Sequence, residues 1–145
     1  MLPPEAAGQP LTLDKFFHYP DWWKDGRFDV ADRKQAPGIA GVVNLCSSGA
    51  SGDTLELRLA NNFKLLKLEA GQSNSSENSD QTMLVRIDAN GQYRDMKKIK
   101  LNQVTSFQVP VDHVNALKII VSLDQDDKQC GMGTVEAVLT NLILS

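Results

Sequence analysis

Residues 107–123 read FQVPVDHVNALKIIVSL, and the order of apolar and polar side chains in this stretch decides the fold class. Apolar residues fall at alternate positions from Phe107 to Val111 and again from Leu117 to Leu123. A period of two is typical of a strand with one buried face, because successive side chains of a strand point to opposite faces. The stretch therefore predicts two consecutive strands joined by a short turn at residues 112–115.

The same alternation recurs elsewhere, at Leu55–Leu59 and Met83–Ile87. Asn90-Gly91 follows the second of these runs and predicts a tight hairpin, because both residues tolerate positive φ. Gly71–Gln81 contains no strongly apolar residue and predicts a surface loop, whereas Val135–Leu144 predicts a central closing strand. Since no helix-period segment separates the runs, we expect an all-β, antiparallel β-sandwich of the jelly-roll type with about nine or ten strands.

The length of 145 residues and the hydrophobic fraction of 41% are typical of one domain that buries its own core. Residues 1–10 contain three prolines, so we expect a linker or disordered arm there, followed by a single domain at residues 11–145. We place the first strand at Leu11–Phe17. Ala36-Pro37-Gly38 predicts a break before the next apolar run, and Asn61-Asn62 predicts a hairpin turn.

The charge pattern excludes one class of partner. The chain carries 15 basic and 18 acidic residues in mixed order, with a formal net charge of −3. Nucleic acid is therefore not expected as a partner, because phosphate binding needs a sustained basic surface. No run of about 18 apolar residues occurs, so we expect no membrane insertion by this chain. The first residues lack the features of a signal peptide, and we expect the chain to be part of a larger protein.

Cys46 and Cys130 are 84 positions apart, a spacing that fits neither a CxxC redox motif nor a four-ligand zinc site. Two alternatives are open: a disulfide, or two unpaired buried thiols. Both cysteines have loop-like neighbours, which favours the disulfide. A disulfide would place the domain outside the cytoplasm, in a secreted protein or on the outer face of a membrane protein.

Four segments carry a resemblance to a known family: Leu57–Gly71, Val85–Gly91, Phe107–Val121 and Val135–Leu144. From about residue 11 to the end, their order resembles the family named "novel putative carbohydrate-binding module", whose members are galactose-binding-like β-sandwiches. The sequence also resembles a variant of this domain in actinobacterial secreted or membrane-attached proteins, which has cysteines at similar places.

The resemblance implies a non-catalytic extracytoplasmic module that binds carbohydrate, such as a glycan or a cell-surface polymer, or tethers a larger protein to a surface. The alternative from a different class is a protein-interaction or sensor ectodomain of a membrane protein, without affinity for sugar. Fold alone does not decide between them, because one fold can carry many functions.

Carbohydrate sites use aromatic rings as flat platforms, together with a few placed polar groups. Tyr19, Trp22 and Trp23 form an aromatic cluster in a loop-like segment, and Tyr93 follows the Asn90-Gly91 turn. These four residues are the candidate ligand-binding residues. The alternative is that the adjacent tryptophans cap the core and that Tyr93 is an ordinary solvent-facing strand residue.

The sequence shows no catalytic constellation and predicts no enzyme. His18 and His113 lack acidic or cysteine neighbours at metal-ligand spacing, and Ser47 lacks the context of an activated nucleophile. We predict no cofactor. The weak exception is calcium, for which the carboxylates of one acidic loop are candidate ligands: Asp124, Asp126 and Asp127. A solvated turn is favoured there, because the loop lacks the glycine and glutamate of an EF-hand.

Overall fold

The computed structural model describes residues 1–76 and 80–145 and is an all-β sandwich. Over these residues, 3-10 helices at Pro4–Ala6 and Leu13–Lys15 precede ten strands. The strands are β1 Lys24–Val30, β2 Arg33–Val43, β3 Cys46–Ser47, β4 Asp53–Arg58, β5 Leu65–Gln72, β6 Met83–Ala89, β7 Gln92–Ile99, β8 Val104–Pro110, β9 Ala116–Asp124 and β10 Val135–Leu144. The predicted fold class and strand number are confirmed.

The strands form two sheets. The first sheet has the order β1-β2-β10-β5-β8, and the second has the order β4-β9-β6-β7. β3 lies beside the same edge of β9 as β4 and pairs with it in parallel, whereas the other sheet ladders of the described chain are antiparallel. β10 lies between β2 and β5, so the prediction of a central closing strand is confirmed.

The alternating aliphatic residues fill the space between the sheets. The apolar positions of residues 107–123 are buried, as are Leu55, Leu57 and Leu59 of β4. Burying one such side chain stabilises the fold by roughly 1.5–3 kcal/mol relative to leaving it in water. The period of two in the sequence therefore marks the inner face of each strand.

The two Asn-containing turns have different outcomes. Asn90 and Gly91 have φ values of 51° and 79° and join β6 to β7, as the hairpin prediction required. The Asn61-Asn62 prediction is wrong, because the strands on either side of it, β4 and β5, lie in different sheets. This turn is a crossover between sheets, which local turn chemistry does not distinguish from a hairpin.

Residues 1–10 pack against the sandwich and are not the predicted disordered arm. The Leu2 side chain is only 6% exposed, and its backbone N–H donates to the Arg58 carbonyl at 2.8 Å. The Gly8 N–H donates to the Leu144 carbonyl at 2.8 Å. These contacts satisfy backbone groups that a free arm would leave to water.

The predicted first strand at Leu11–Phe17 is also wrong. This segment contains the Leu13–Lys15 helix, and Leu11, Leu13 and Phe16 are buried in the core without a strand ladder. Directly after this segment, His18 forms an isolated bridge to Glu56 of β4. The apolar pattern thus predicted burial correctly but not the backbone conformation.

The hairpin of β1 and β2 continues past the part of β2 that pairs with β10. Residues 38–43 of β2 pair with β10, and the predicted break at Ala36–Gly38 lies inside β2, at the limit of this pairing. The rest of the hairpin folds across the outer face of the first sheet, where the Asn74 N–H donates to the Asp29 carbonyl at 2.9 Å. Beneath it lies a small second core of Phe28, Val30, Ala40 and Val138, flanked by Val104.

An ion pair holds this hairpin onto the sheet. Arg33 Nη2 lies 2.7 Å from Glu69 Oε2, and the Asn141 amide also donates to the Glu69 carboxylate. The hydrogen bond from Arg33, assisted by the one from Asn141, holds the pKa of Glu69 below its ordinary value.

The predicted surface loop at Gly71–Gln81 begins within β5, and its residues 77–79 lie outside the described residues.

Glu69→Gln is expected to lower the free energy of unfolding by about 0.5–1 kcal/mol at pH 7, the range of a partly exposed ion pair. Because the pKa of Glu69 is lower in the folded state than in the unfolded state, its contribution is present above about pH 4 and is lost as the pH falls below that value. Urea denaturation of the wild type and of Glu69→Gln at pH 7 and at pH 3 measures the loss of unfolding free energy at each pH. The control Asp14→Asn removes an exposed partner of Lys15 and should have little effect; an unchanged Glu69→Gln deficit at pH 3 would contradict the role of the charge.

Candidate functional site

Trp22 and Trp23 follow the turn at Tyr19-Pro20-Asp21 and directly precede β1. The backbone N–H of Trp23 donates to the Pro20 carbonyl at 3.0 Å, which closes this turn. The two neighbouring rings then take opposite environments: the Trp23 side chain is 3% exposed and the Trp22 side chain is 59% exposed. The structure thus separates the tryptophan pair into one core residue and one surface residue.

Asp53 holds both rings. Its Oδ2 atom accepts hydrogen bonds from Trp22 Nε1 at 2.9 Å and from Trp23 Nε1 at 2.8 Å. Asp53 is the first residue of β4 in the second sheet, whereas the tryptophans lead into β1 of the first sheet. The carboxylate therefore connects edge strands of the two sheets and fixes the orientation of both indoles.

Gly41 of β2 makes room for the buried ring. A Cβ atom at this position would lie 2.3 Å from Trp23 Cε2 and Nε1, far inside van der Waals contact. The absence of a side chain on the inner face of β2 therefore lets the indole lie flat against the backbone. Trp23 closes the sandwich along this side, and Trp22 stands outside it.

The exposed surface at Trp22 combines two features that sugar recognition uses. The indole offers flat apolar area, and the Asp53 carboxylate lies at its edge. A ring of this kind packs against the C–H face of a sugar, while a carboxylate accepts hydrogen bonds from hydroxyl groups. We take Trp22 and Asp53 as the centre of the candidate site.

The other two predicted aromatic residues lie elsewhere. Tyr19 is partly buried and packs against the main core, on the same side of the sandwich as the tryptophans. Tyr93 is 54% exposed on β7, at the edge of the second sheet opposite β4. The structure therefore does not bring Tyr93 together with Trp22.

Cys46 and Cys130 form a disulfide, with an S–S distance of 1.99 Å and a Cα–Cα distance of 6.1 Å. This confirms one of the two predicted alternatives. The bond connects the short strand β3 to the loop between β9 and β10.

The acidic loop uses its carboxylates for internal contacts. Asp124 Oδ2 lies 3.0 Å from Lys98 Nζ, and the Asp126 N–H donates to Asp124 Oδ1 at 3.0 Å. Asp127 accepts from the Gln129 N–H and the Thr82 hydroxyl, and these hydrogen bonds lower its pKa. Among residues 1–76 and 80–145, no group of three or more His, Cys, Asp or Glu side chains is placed to hold a metal ion. Calcium binding at this loop stays a prediction.

Ser47 and the two histidines occupy separate parts of the fold. The Ser47 hydroxyl is buried and bonds the Ser51 carbonyl at 2.7 Å and Ser122 Oγ at 2.9 Å. His18 forms the bridge to β4, and His113 lies in the turn between β8 and β9. The geometry of a serine activated by a histidine base therefore does not arise from these residues.

The fold is similar to the β-sandwich of several solved carbohydrate-binding modules. No family model matches the sequence, and no curated protein matches it either. Among solved structures, the fold is similar to CBM51 from Clostridium perfringens GH95 in complex with methyl-galactose, with a TM-score of 0.59 and 11% identity over 96% of this chain and 94% of that one.

Two further structures share the fold. The tandem CBM51 modules of a family 98 glycoside hydrolase from Streptococcus pneumoniae give a TM-score of 0.64 and 9% identity over 95% of this chain. CBM51-2, in complex with GlcNAc, and the INT domains of Clostridium perfringens ZmpB give 0.59 and 10% identity over 94% of this chain. The match spans 48% and 32% of those two structures, respectively. The comparisons confirm the predicted galactose-binding-like fold, while the actinobacterial variant stays a prediction.

Within the part of the chain that the structure describes, no helix is long and apolar enough to cross a membrane.

Proposed function

We propose that this domain is a non-catalytic carbohydrate-binding module that tethers a larger extracytoplasmic protein to a glycan or cell-surface polymer. Its fold is similar to that of modules whose structures were solved in complex with methyl-galactose and with GlcNAc. Because the identities are near 10%, this likeness supports the class of function but says nothing of the sugar.

The observation that carries the proposal is the exposed Trp22 ring, held by Asp53. A large apolar ring at the surface loses favourable burial unless it gains a partner. Its hydrogen bond to Asp53 fixes the indole before any ligand arrives, so little side-chain entropy remains to be lost on binding. A rigid aromatic platform with a carboxylate at its edge fits a sugar ring better than it fits a catalytic step.

The disulfide supports the proposed compartment. Disulfides persist in oxidising environments such as the cell exterior and are rare in the cytosol. Cys46–Cys130 joins the short strand β3 to the loop between β9 and β10 and leaves the described cysteines fully paired. A binding module that works outside the cell would retain this bond throughout its lifetime.

Trp22→Ala is expected to weaken glycan binding at least tenfold, which corresponds to about 1.4 kcal/mol. The melting temperature should change little, since the ring is mostly outside the core. A glycan array identifies the ligand, and isothermal titration calorimetry with that ligand measures the affinities of both proteins.

Two control variants separate the platform from general surface changes. Trp22→Phe retains a flat ring and should retain part of the affinity, whereas Val42→Ala removes an exposed apolar side chain from β2 and should bind normally. If the wild-type domain binds no glycan, or if Trp22→Ala binds as well as wild type, the proposal is wrong. The protein-interaction or sensor function would then be preferred.

A further inference from the structure

The outer face of the second sheet carries one continuous row of polar side chains across its strands. Glu56 of β4 is in register with Lys118 of β9, Lys118 with Asp88 of β6, and Asp88 with Tyr93 of β7. Opposite residues of antiparallel strands point to the same face, so these side chains form a single line. The line ends on an aromatic ring at each edge of the sheet.

The ring at the β4 edge belongs to Phe17, whose backbone N–H donates to the Glu56 carbonyl at 2.9 Å. The Arg58 guanidinium lies 3.9 Å from the centre of the Phe17 ring, and the Arg86 guanidinium lies 5.0 Å from the centre of the Tyr93 ring. Phe17 is 60% and Tyr93 54% exposed, whereas the two arginine side chains are 35% and 25% exposed. The rings therefore lie outside the arginines and turn their other faces to solvent.

The charges between the rings nearly balance one another, with three basic side chains beside two carboxylates. Arg58 pairs with Glu56, and Arg86 Nε lies 2.8 Å from Asp88 Oδ1. Lys118 stands between Glu56 and Asp88 in the ladder. The row thus presents mainly hydrogen-bond donors, beside carboxylates whose side chains are only 11% and 15% exposed, and it carries one more basic than acidic side chain. So small a net charge suits a hydroxyl-rich uncharged ligand and gives little steering toward a polyanion.

The span of the row sets the size of the ligand. From the Phe17 segment across β4, β9 and β6 to β7 there are four strand spacings of about 4.8 Å, or roughly 19 Å in total. One monosaccharide cannot contact rings this far apart, whereas an extended chain of sugars can. A folded protein partner would be expected to meet a more apolar centre than this charged row.

We propose that the outer face of the second sheet is a second carbohydrate-binding surface, distinct from the Trp22 site, that takes an extended uncharged polysaccharide by stacking on Phe17 and Tyr93 at once. This rests on the proposed function and deepens it from binding one sugar to binding a polymer. Two rings that engage one chain act together, because contact with the first ring raises the effective concentration of sugar at the second.

Chain length is the readout that tests this surface. We would titrate hexasaccharides of cellulose, xylan, mannan and galactan, and the matching disaccharides, by calorimetry. At least one hexasaccharide should bind ten or more times more tightly than its disaccharide. Phe17→Ala and Tyr93→Ala should each bring the hexasaccharide affinity to within about twofold of the disaccharide value, and Tyr93→Phe should restore most of it.

The Trp22→Ala variant distinguishes this proposal from the first. If Trp22→Ala weakens binding but retains the preference for long chains, both sites are supported. If Phe17→Ala and Tyr93→Ala leave hexasaccharide binding unchanged while Trp22→Ala abolishes it, the second surface is overturned and the proposed function stands. If no saccharide binds, both fail. If only charged saccharides such as polygalacturonate bind, in a salt-sensitive way, the second surface for an uncharged polymer is overturned and the proposed function stands. Val42→Ala, on the other sheet, is the control and should match wild type.

Discussion

Replacing both Cys46 and Cys130 with serine is expected to lower the free energy of unfolding by about 4–5 kcal/mol. The cysteines are 84 positions apart, and closing a loop of that length removes conformational entropy from the unfolded chain. The loss is of the same order as the whole stability of a small domain. Urea denaturation of the oxidised wild type and of the double variant measures the difference.

Reduction provides the matched control for this experiment. Wild-type protein unfolded in the presence of a thiol reductant should show the same loss as the double variant, and the reductant should not affect the variant. A loss below about 1 kcal/mol would show that the unfolded chain is not restricted by the bond in the way the entropy argument requires. The single variant Cys130→Ser would leave an unpaired thiol on Cys46 and is therefore a poorer test.

The sequence predicts the fold correctly where the same segment both buries its apolar side chains and pairs as a strand. In residues 107–123 the apolar residues face the core and the strands also pair, so the period of two predicted both. At Leu11–Phe17 the same kind of pattern is satisfied by a 3-10 helix that lays apolar side chains into the core without a ladder. Periodicity reports which side chains are buried, and a segment beside a sheet edge can achieve that in more than one conformation.

Pro37 shows a second limit of sequence reasoning. The sequence predicts a break there, yet Pro37 lies inside β2 and pairs with Arg27 of β1. Proline is tolerated there because the pairing of β2 with β10 ends at Gly38, so at Pro37 the strand has a partner on one side only. Whether a strand position has one neighbour or two depends on the topology, which local sequence does not contain.

The sequence predicts only part of the candidate site. The sequence located the Trp22-Trp23 pair, but two adjacent residues give no sign of which ring is buried. Asp53, which orients both rings, lies about thirty positions away in an ordinary strand sequence. Tyr93 and Phe17 acquire their shared surface only when three strands, β4, β9 and β6, lie between the Phe17 segment and β7. Contacts across sheets and across strands are products of the tertiary fold.

Trp23→Ala is expected to lower the free energy of unfolding by about 3–5 kcal/mol, the range for removing a large aromatic side chain from a core. The indole is 3% exposed, lies against Gly41 and donates to Asp53, so its loss leaves both a cavity and a carboxylate with one partner fewer. Because Asp53 also holds Trp22, glycan affinity should fall too, even under conditions where the variant is folded. Chemical denaturation and calorimetry measure the two effects separately.

Trp22→Ala is the matched control, because it removes the same kind of ring from the same turn while leaving the core filled. It should lower the free energy of unfolding by less than about 1 kcal/mol and still weaken glycan binding, whereas Trp23→Ala should mainly lower the stability. Gly41→Ala tests the packing from the opposite side: its Cβ would lie 2.3 Å from the indole, so the ring must shift and stability must fall without any loss of side-chain atoms. Equal losses of stability for Trp22→Ala and Trp23→Ala, or a neutral Gly41→Ala, would contradict the separation of one core tryptophan from one binding tryptophan.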